Sequence, residues 1–475
     1  MAQKLSVGLF GVGLDTYWDQ FDGLLDRLNG YMGIVEEMIE SPKINLHNLG
    51  MVDNYEKAVE AGRRFRQMEV DLLFIHVTTY ALSSTVLTVL QKCPVPVVLL
   101  NLSPLSQIDY KSFNQLNDRT KMTGEWLAHC AACPVPEMIS VIKRAGFQYA
   151  QITGVLKGDS DHVRKEISEW VEAAHVKFIM SNNRLGLFGN YYGGMLDIYT
   201  DLTQQLIQFG GHFEILEVDL ITQIRRFISE EAIAERIILF KSTFDVQKDC
   251  RHEDLVSAAK TSLALEQIVH DYKLGSIAYY HKGTGTENEE TIASIILGNS
   301  ILSGNNVPVA GEYEVKNVQA MKVLDTFGVV GSFTEYYGMD HVDDVVLMGH
   351  DGPGHIRISE GKVSVKPLEV YHGKVSRGLS VEMSVKNGPV TLLSVVQKPN
   401  AKLMLLTASA ESVSGPILEI GNTNSRYKFP ISAIEFMETW NSYGPAHHCA
   451  IGTGDITSKI EKLGQLLNIE VVQVC

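Results

Sequence analysis

The N-terminal third of the chain alternates continuous apolar runs of strand length with amphipathic stretches of helical period. LSVGLFGVG, INLHNLGMV, VDLLFIHV, VPVVLLNL and FQYAQITGVL are the apolar runs, and segments such as FDGLLDRLNGYMGIVEEMIE and NYEKAVEAGRRFRQME lie between them. A strand that is apolar on both faces needs cover on both, and crossover helices supply it. The pattern therefore predicts a parallel, doubly wound sheet over residues 1–176. The alternation restarts with KFIMSNNRLGLFGN, MLDIYTDLTQQLIQFG, FEILEVDL and LGSIAYYHKG, which predicts a second α/β domain over residues 177–325.

Beyond residue 325 the period changes to two. HIRISEGKVSVKPLEVYHG, LSVEMSVKNGPVTLLSVVQK and KLMLLTASAES alternate apolar with polar residues around turn signals such as Asn387-Gly388-Pro389. Short period-two strands at regular spacing mean an antiparallel, barrel-like domain over residues 326–475. A closing helix follows, with Asp455 as its expected N-cap and Ile456, Ile460, Leu463 and Leu467 on one face. The expected fold class is α/β: two doubly wound α/β domains followed by a C-terminal, mainly antiparallel β domain.

Composition narrows the class. A chain of 475 residues, 45% hydrophobic and 20% charged, is ordinary for a globular protein and is long enough for about two to four cores. No apolar run reaches the ~18 residues of a membrane span. MAQKLSVGLF enters a strand pattern without a basic start, an apolar stretch and a cleavage site. The expectation is a cytoplasmic protein with no membrane partner. A formal charge of -15 without any basic run excludes nucleic acid as a partner. Six cysteines are too sparse for a disulfide framework. Cys130 and Cys133, in HCAAC, have the spacing of a redox or zinc half-site, but no second pair follows, and the segment reads as a helix-loop-helix connection with structural cysteines.

GLFGVGLDTYW supplies Gly11 and Gly13 of a G-x-G-x-x-G pattern. Thr16 stands at the third glycine position, and no acidic residue follows at the end of a second strand, so a strand-to-turn junction is the better reading than a nicotinamide dinucleotide site. Because such sheets bind ligands at that edge, Asp15 and Tyr17 are substrate-contact candidates.

Chemistry concentrates later in the chain. PVAGEYEVKN carries Glu312 and Glu314, GSFTEYYGM carries Glu335, and DDVVLMGHDGPGH carries His350, Asp351 and His355. SYGPAHHCAIG places His447 and His448 side by side after a Gly-Pro turn. In an extended chain adjacent side chains point to opposite faces, so one of the two reaches a given cation and the other faces substrate or structure. Two carboxylates and two imidazoles suit an octahedral divalent ion with open positions, Mn²⁺, Co²⁺ or Mg²⁺, better than thiolate-bound zinc. Such an ion can hold vicinal sugar oxygens while the acids move a proton between adjacent carbons.

These elements, AGE at Glu312, SF-x-E-x-Y at Glu335, VLMGH at His350 and AHH at His448, occur in the order found in the L-arabinose isomerase and L-fucose isomerase superfamily. The chain resembles a divergent member over essentially its whole length. That resemblance implies a cytoplasmic aldose-ketose isomerase of carbohydrate metabolism, working through a cis-enediol. It implies Glu312, Glu335, His350 and His448 as metal ligands, typically to manganese, and Glu312 and Glu335 as acid and base. His447 would approach the sugar or assist ring opening. It also implies a homo-hexamer or homo-tetramer whose active sites lie at subunit interfaces, where GVGLDTYW of a neighbour touches the sugar. The family's glycine-serine-glutamine-histidine-leucine-tyrosine motif is replaced here by Gly11-Val-Gly-Leu-Asp-Thr-Tyr17, and His129 is only a loose counterpart of a neighbour's substrate histidine. These departures put L-arabinose itself in doubt. A modified hexose such as sulfoquinovose is the alternative substrate and would need a local cation such as Lys282, Lys374 or Arg377. From other classes, a non-catalytic sugar-binding protein predicts binding indifferent to chelators, and an NAD-dependent oxidoreductase predicts a cofactor absorbance change.

Overall fold

A computed structural model describes residues 4–282, 287–368 and 377–475. The chain forms two compact units, Met1–Phe178 and Ile179–Cys475, in a mixed α/β architecture.

In the first unit β1 (Leu5–Val12), β2 (Ile44–Val52), β3 (Leu72–Val77), β4 (Val97–Ser103) and β5 (Tyr149–Val155) are all parallel, in the order β2-β1-β3-β4-β5. This is one of the two common doubly wound orders, and the order reverses between β1 and β3. On one face Leu73, Ile75 and Val77 of β3 pack with Phe65 of helix Tyr55–Gln67, Val86 and Val89 of helix Ser83–Lys92, and Met138 and Ile142 of helix Val135–Arg144. The Asn54 side chain accepts the Lys57 N–H and so starts the first of these helices. The glycines after β1 make room for the unit's own side chains: a Cβ at Gly11 would sit 2.6 Å from Met32 Sδ.

His76, on β3, is buried, its Nδ1 has no hydrogen-bond partner, and burial lowers its pKa from 6.5 to about 4. Below pH 6.5 the unfolded chain takes up a proton that the native state refuses until about pH 4. Its contribution to stability is therefore complete above pH 6.5 and is lost as the pH falls through that window, by about 3 kcal/mol in all. Replacing His76 with Leu should flatten the acid limb of a denaturant-derived stability profile of the first unit, and an unchanged slope would remove His76 as its source.

The described residues of the second unit form two sheets and a small third one. Its parallel sheet consists of β6 (Arg184–Gly189), β7 (His212–Leu216), β9 (Ser276–Tyr280) and β10 (Val309–Ala310), in the order β10-β9-β6-β7. β8 (Asp245–Val246) pairs in parallel with β13 (Ser364–Leu368), which pairs antiparallel with β14 (Gly378–Glu382). The remaining strands are β11 (Ser332–Asp340), β12 (Val345–His350), β15 (Gly388–Gln397), β16 (Leu403–Val413), β17 (Thr423–Lys428), β18 (His448–Thr453) and β19 (Glu470–Gln473). They follow the order β15-β18-β11-β12-β17-β16-β19, and β15 also pairs with β16, so all of them except β19 form a closed antiparallel ring. One continuous core joins Phe188 and Ile277 of the parallel sheet to Val346, Leu392, Leu406 and Ile451 of the ring.

Local departures from the pattern have simple causes. KFIM belongs to helix Asp161–Ser181, not to the following strand, because Val176 and Met180 continue the four-residue apolar spacing. The VDL of FEILEVDL opens helix Val218–Arg225. HIRIS is a turn with a single bridge, Ser359 to Val385. The closing helix runs Thr457–Leu467 with Ile456, not Asp455, at the cap position; the Asp455 carboxylate instead accepts the N–H of Thr457, at 3.1 Å. No helix among the described residues is long and apolar enough to cross a membrane.

Candidate metal centre

Three structural devices bring distant residues to one place in the second unit. Glu312 lies in the turn between β10 and helix Val315–Thr326, and Glu312 and Tyr313 have φ of 57° and 63°. Two consecutive non-glycine residues in the left-handed region cost on the order of 1–3 kcal/mol each, a strain typically found at functional sites. The Tyr313 N–H holds the turn by donating to Tyr279 O at 2.9 Å. Glu335, on β11, pairs directly with His448 of β18 on one side and with Gly349 of β12 on the other. His350 ends β12. A Cβ at Gly349 would lie 1.8 Å from Thr423 O, so glycine alone permits that approach of β12 to β17. His350 is then clamped: its N–H donates to Thr423 Oγ1 at 3.0 Å, and the Thr423 hydroxyl donates to His350 O at 2.9 Å.

The donor atoms of Glu335, His350 and His448 lie within 4.8 Å of one another, as do those of Glu312, His447 and His448. His448 Nε2 is buried, makes no hydrogen bond, and faces Glu312 Oε2 at 3.5 Å and Glu335 Oε2 at 3.9 Å. A buried nitrogen aimed at two carboxylates fits a divalent cation between them. The two adjacent histidines do not diverge as an extended chain would require. His447 precedes β18, its ring lies 3.8 Å from that of His448, and its Nε2 faces Glu312 at 3.7 Å and Glu335 at 3.9 Å. Phe333 packs against the rings of His350 and His448, at 4.3 and 4.4 Å, and helps exclude water from that side.

Partners behind the cluster aim both imidazoles. Glu314 Oε2 lies 2.5 Å from His448 Nδ1; with Nδ1–H donating to it, Nε2 presents its lone pair forward. Burial raises the Glu314 pKa to about 8, opposed by Lys316 and His447, while burial and then His447 lower that of His448. Asp197 accepts the backbone N–H of His447 at 3.0 Å and faces its Nδ1 at 2.5 Å, and Lys316 donates to the Asp197 carbonyl. Burial works to lower the His447 pKa, but the Asp197 hydrogen bond and charge, then Glu312, leave it raised.

The cleft in front is lined by Glu312, Glu335, His350, Asp351 and His447 together with Tyr192, Met195, Tyr279 and Tyr280. The rings of Tyr192 and Tyr280 are 4.6 Å apart. Tyr337 has a buried hydroxyl without a hydrogen-bond partner, and burial, Glu335 and Asp351 all raise its pKa. Asp197, Lys316 and the tyrosines carry no sequence signal of a role. Tyr337 stood inside SFTEYYG and Glu314 inside AGEYE, where spacing alone does not separate an orienting group from a ligand. Asp15 and Tyr17 belong to the first unit: Asp15 accepts from Asn54 Nδ2 at 3.1 Å, and Tyr17 is half-buried near Tyr80, Cys130 and Cys133. His355 is buried outside the cluster, and burial lowers its pKa to about 3. Arg377 pairs with Asp254 at 3.3 Å, Lys282 is exposed, and Lys374 lies outside the described residues.

No family model and no curated protein matches the chain. Among solved structures, D-threo-3-hydroxyaspartate dehydratase from Delftia sp. HT23 aligns at 11% identity over 86% of this chain and 89% of that one, with a TM-score of 0.11. A histidine-to-alanine mutant of that dehydratase aligns at 11% identity over 88% and 89%, again with a TM-score of 0.11. At such scores neither likeness bears on fold or function.

Proposed function

We propose that the protein is a divalent-metal-dependent aldose-ketose isomerase of the L-arabinose and L-fucose isomerase type. The observation that carries this reading is a pair of donor clusters that share His448, Glu335 with His350 and Glu312 with His447, with both carboxylates lining one cleft. When bound, a divalent ion such as Mn²⁺, Co²⁺ or Mg²⁺ supplies charge to hold adjacent sugar oxygens and acidify the neighbouring C–H. Glu312 and Glu335 are the acid and base: one removes a proton from the carbon beside the carbonyl and the other serves the oxygens of the cis-enediol. His447, held by Asp197, approaches the ring oxygen. Tyr192 and Tyr280 offer aromatic faces to sugar C–H groups.

Among the described residues, those lining the cleft include no Lys or Arg, which favours a neutral pentose or hexose over a sulfonated hexose such as sulfoquinovose. Assembly as a homo-hexamer or homo-tetramer, with Asp15 and Tyr17 of a neighbour reaching the sugar, completes the proposal. The deciding experiment is a panel of neutral and sulfonated aldoses incubated with the metal-stripped protein, before and after Mn²⁺. Ketose should form only with metal and disappear on chelation; turnover that persists in excess chelator, or sugar binding without turnover at any metal, would refute the reading.

The Glu314 contact makes a separate prediction. Replacing Glu314 with Ala should weaken Mn²⁺ binding by about 10–100-fold in a calorimetric titration, because the orienting acceptor behind His448 is lost. Unchanged affinity would remove Glu314 from the centre.

A further inference from the structure

The first unit carries a pair of cysteines that the metal centre does not use. Cys130 and Cys133 lie in the connection between helix Arg119–Leu127 and helix Val135–Arg144. Both are free thiols; Cys130 is buried and Cys133 is exposed. They are three residues apart in the sequence, and Cys133 and Tyr80 lie near enough to Cys130 to act on its thiol. Tyr80 follows β3, and Tyr17, which follows β1, is close enough for both thiols to raise its pKa after burial and Tyr80. The pair thus sits at the carboxyl edge of the parallel sheet, at the reversal in strand order where such sheets receive ligands.

The two sulfurs are unequal in a way that suits a two-step exchange. Burial raises the Cys130 pKa to about 12, so this thiol keeps its proton until a partner sulfur is presented to it. Cys133 is open to solvent and can meet a small molecule first. A zinc site needs more donors than two thiolates, and neither cysteine belongs to a cluster of possible metal ligands among the described residues. A cysteine that only fills space has no use for an exposed partner thiol three residues away.

We propose that Cys130 and Cys133 form a dithiol site for reversible exchange with low-molecular-weight disulfides. The Cys133 thiolate attacks one sulfur of the disulfide; a Cys133–S bond to that half forms, the original S–S bond breaks, and the other half leaves as a thiolate. Cys130 then gives up its proton and attacks the Cys133 sulfur, forming the Cys130–Cys133 bond and expelling the second half as a thiol. Two electrons pass from the cysteines to the small disulfide, which is reduced to two thiols, and the reverse sequence restores the dithiol.

The test uses the full reduced chain and oxidised glutathione as the disulfide. Free thiols counted in denaturant should fall from six to four, with a mass loss of about 2 Da and a Cys130–Cys133 linkage on peptide mapping, all reversed by excess dithiol. C130S should stop at a single glutathione adduct on Cys133, and C133S should react at least about tenfold more slowly. The proposal is overturned if the wild-type chain keeps all its thiols, if a persistent adduct accumulates in place of the internal bond, or if the linkage maps to Cys93, Cys250, Cys449 or Cys475. The peptide map of the wild-type chain decides the matter even where a variant fails to fold.

Discussion

Replacing Glu335 with Gln is expected to slow aldose-ketose interconversion by about 10³-fold while leaving the fold intact. The substitution keeps the shape of the side chain on β11 and its pairing with His448 and Gly349, so the ring of strands has no reason to open. What it removes is a negative charge beside His448 and the capacity to take a proton from carbon. Steady-state ketose formation at saturating Mn²⁺ measures the first effect, and far-ultraviolet circular dichroism checks the second. A loss smaller than about tenfold at saturating metal would mean that Glu335 is a bystander, because a positioned base contributes at least 10².

The second prediction has two halves of opposite sign. Glu312→Gly should abolish turnover to a similar degree and yet make the metal-free protein more stable, by about 1 kcal/mol. At φ 57° a side chain is strained, and glycine adopts that conformation freely. Removing the carboxylate also relieves its proximity to Glu335 across the imidazoles when no cation separates them. Chemical denaturation of the metal-free wild type and variant gives the stability difference. If the variant is less stable, or if it still turns over sugar, the left-handed turn exists for packing and not for chemistry.

Much of the fold could be read from period alone, because buried parallel strands and half-buried antiparallel ones leave different apolar patterns. The five apolar runs before residue 156 became the five strands of one sheet. Boundaries failed where a helix and a strand were both apolar, as at KFIM, since length and not hydrophobicity separates them. HIRIS alternated like a strand but found almost no neighbour to pair with. At the site, Glu312, Glu335, His350 and His448 stood out as carboxylates and imidazoles beside glycine or Gly-Pro turns, and the structure brings Glu312 and Glu335 each near His448. Their relative placement rests on long-range register, such as Glu335 against His448, which no local pattern encodes. The direction of His447 was misjudged for the same reason: Asp197, 250 residues away, sets it. Tyr279 and Tyr280 of the cleft stayed hidden because an aromatic residue on a strand usually signals core.

The closed ring of strands has a consequence for how heat should act on the protein. Glu335, His350 and His448 ride on three neighbouring strands, β12 and β18 each bonded to β11, so their spacing is fixed by the same backbone ladder that holds the ring shut. Warming cannot loosen those three groups by degrees without unzipping that ladder. Turnover should accordingly climb with temperature until the ring melts and then stop abruptly, with no range in which folded but slackened protein works at reduced speed.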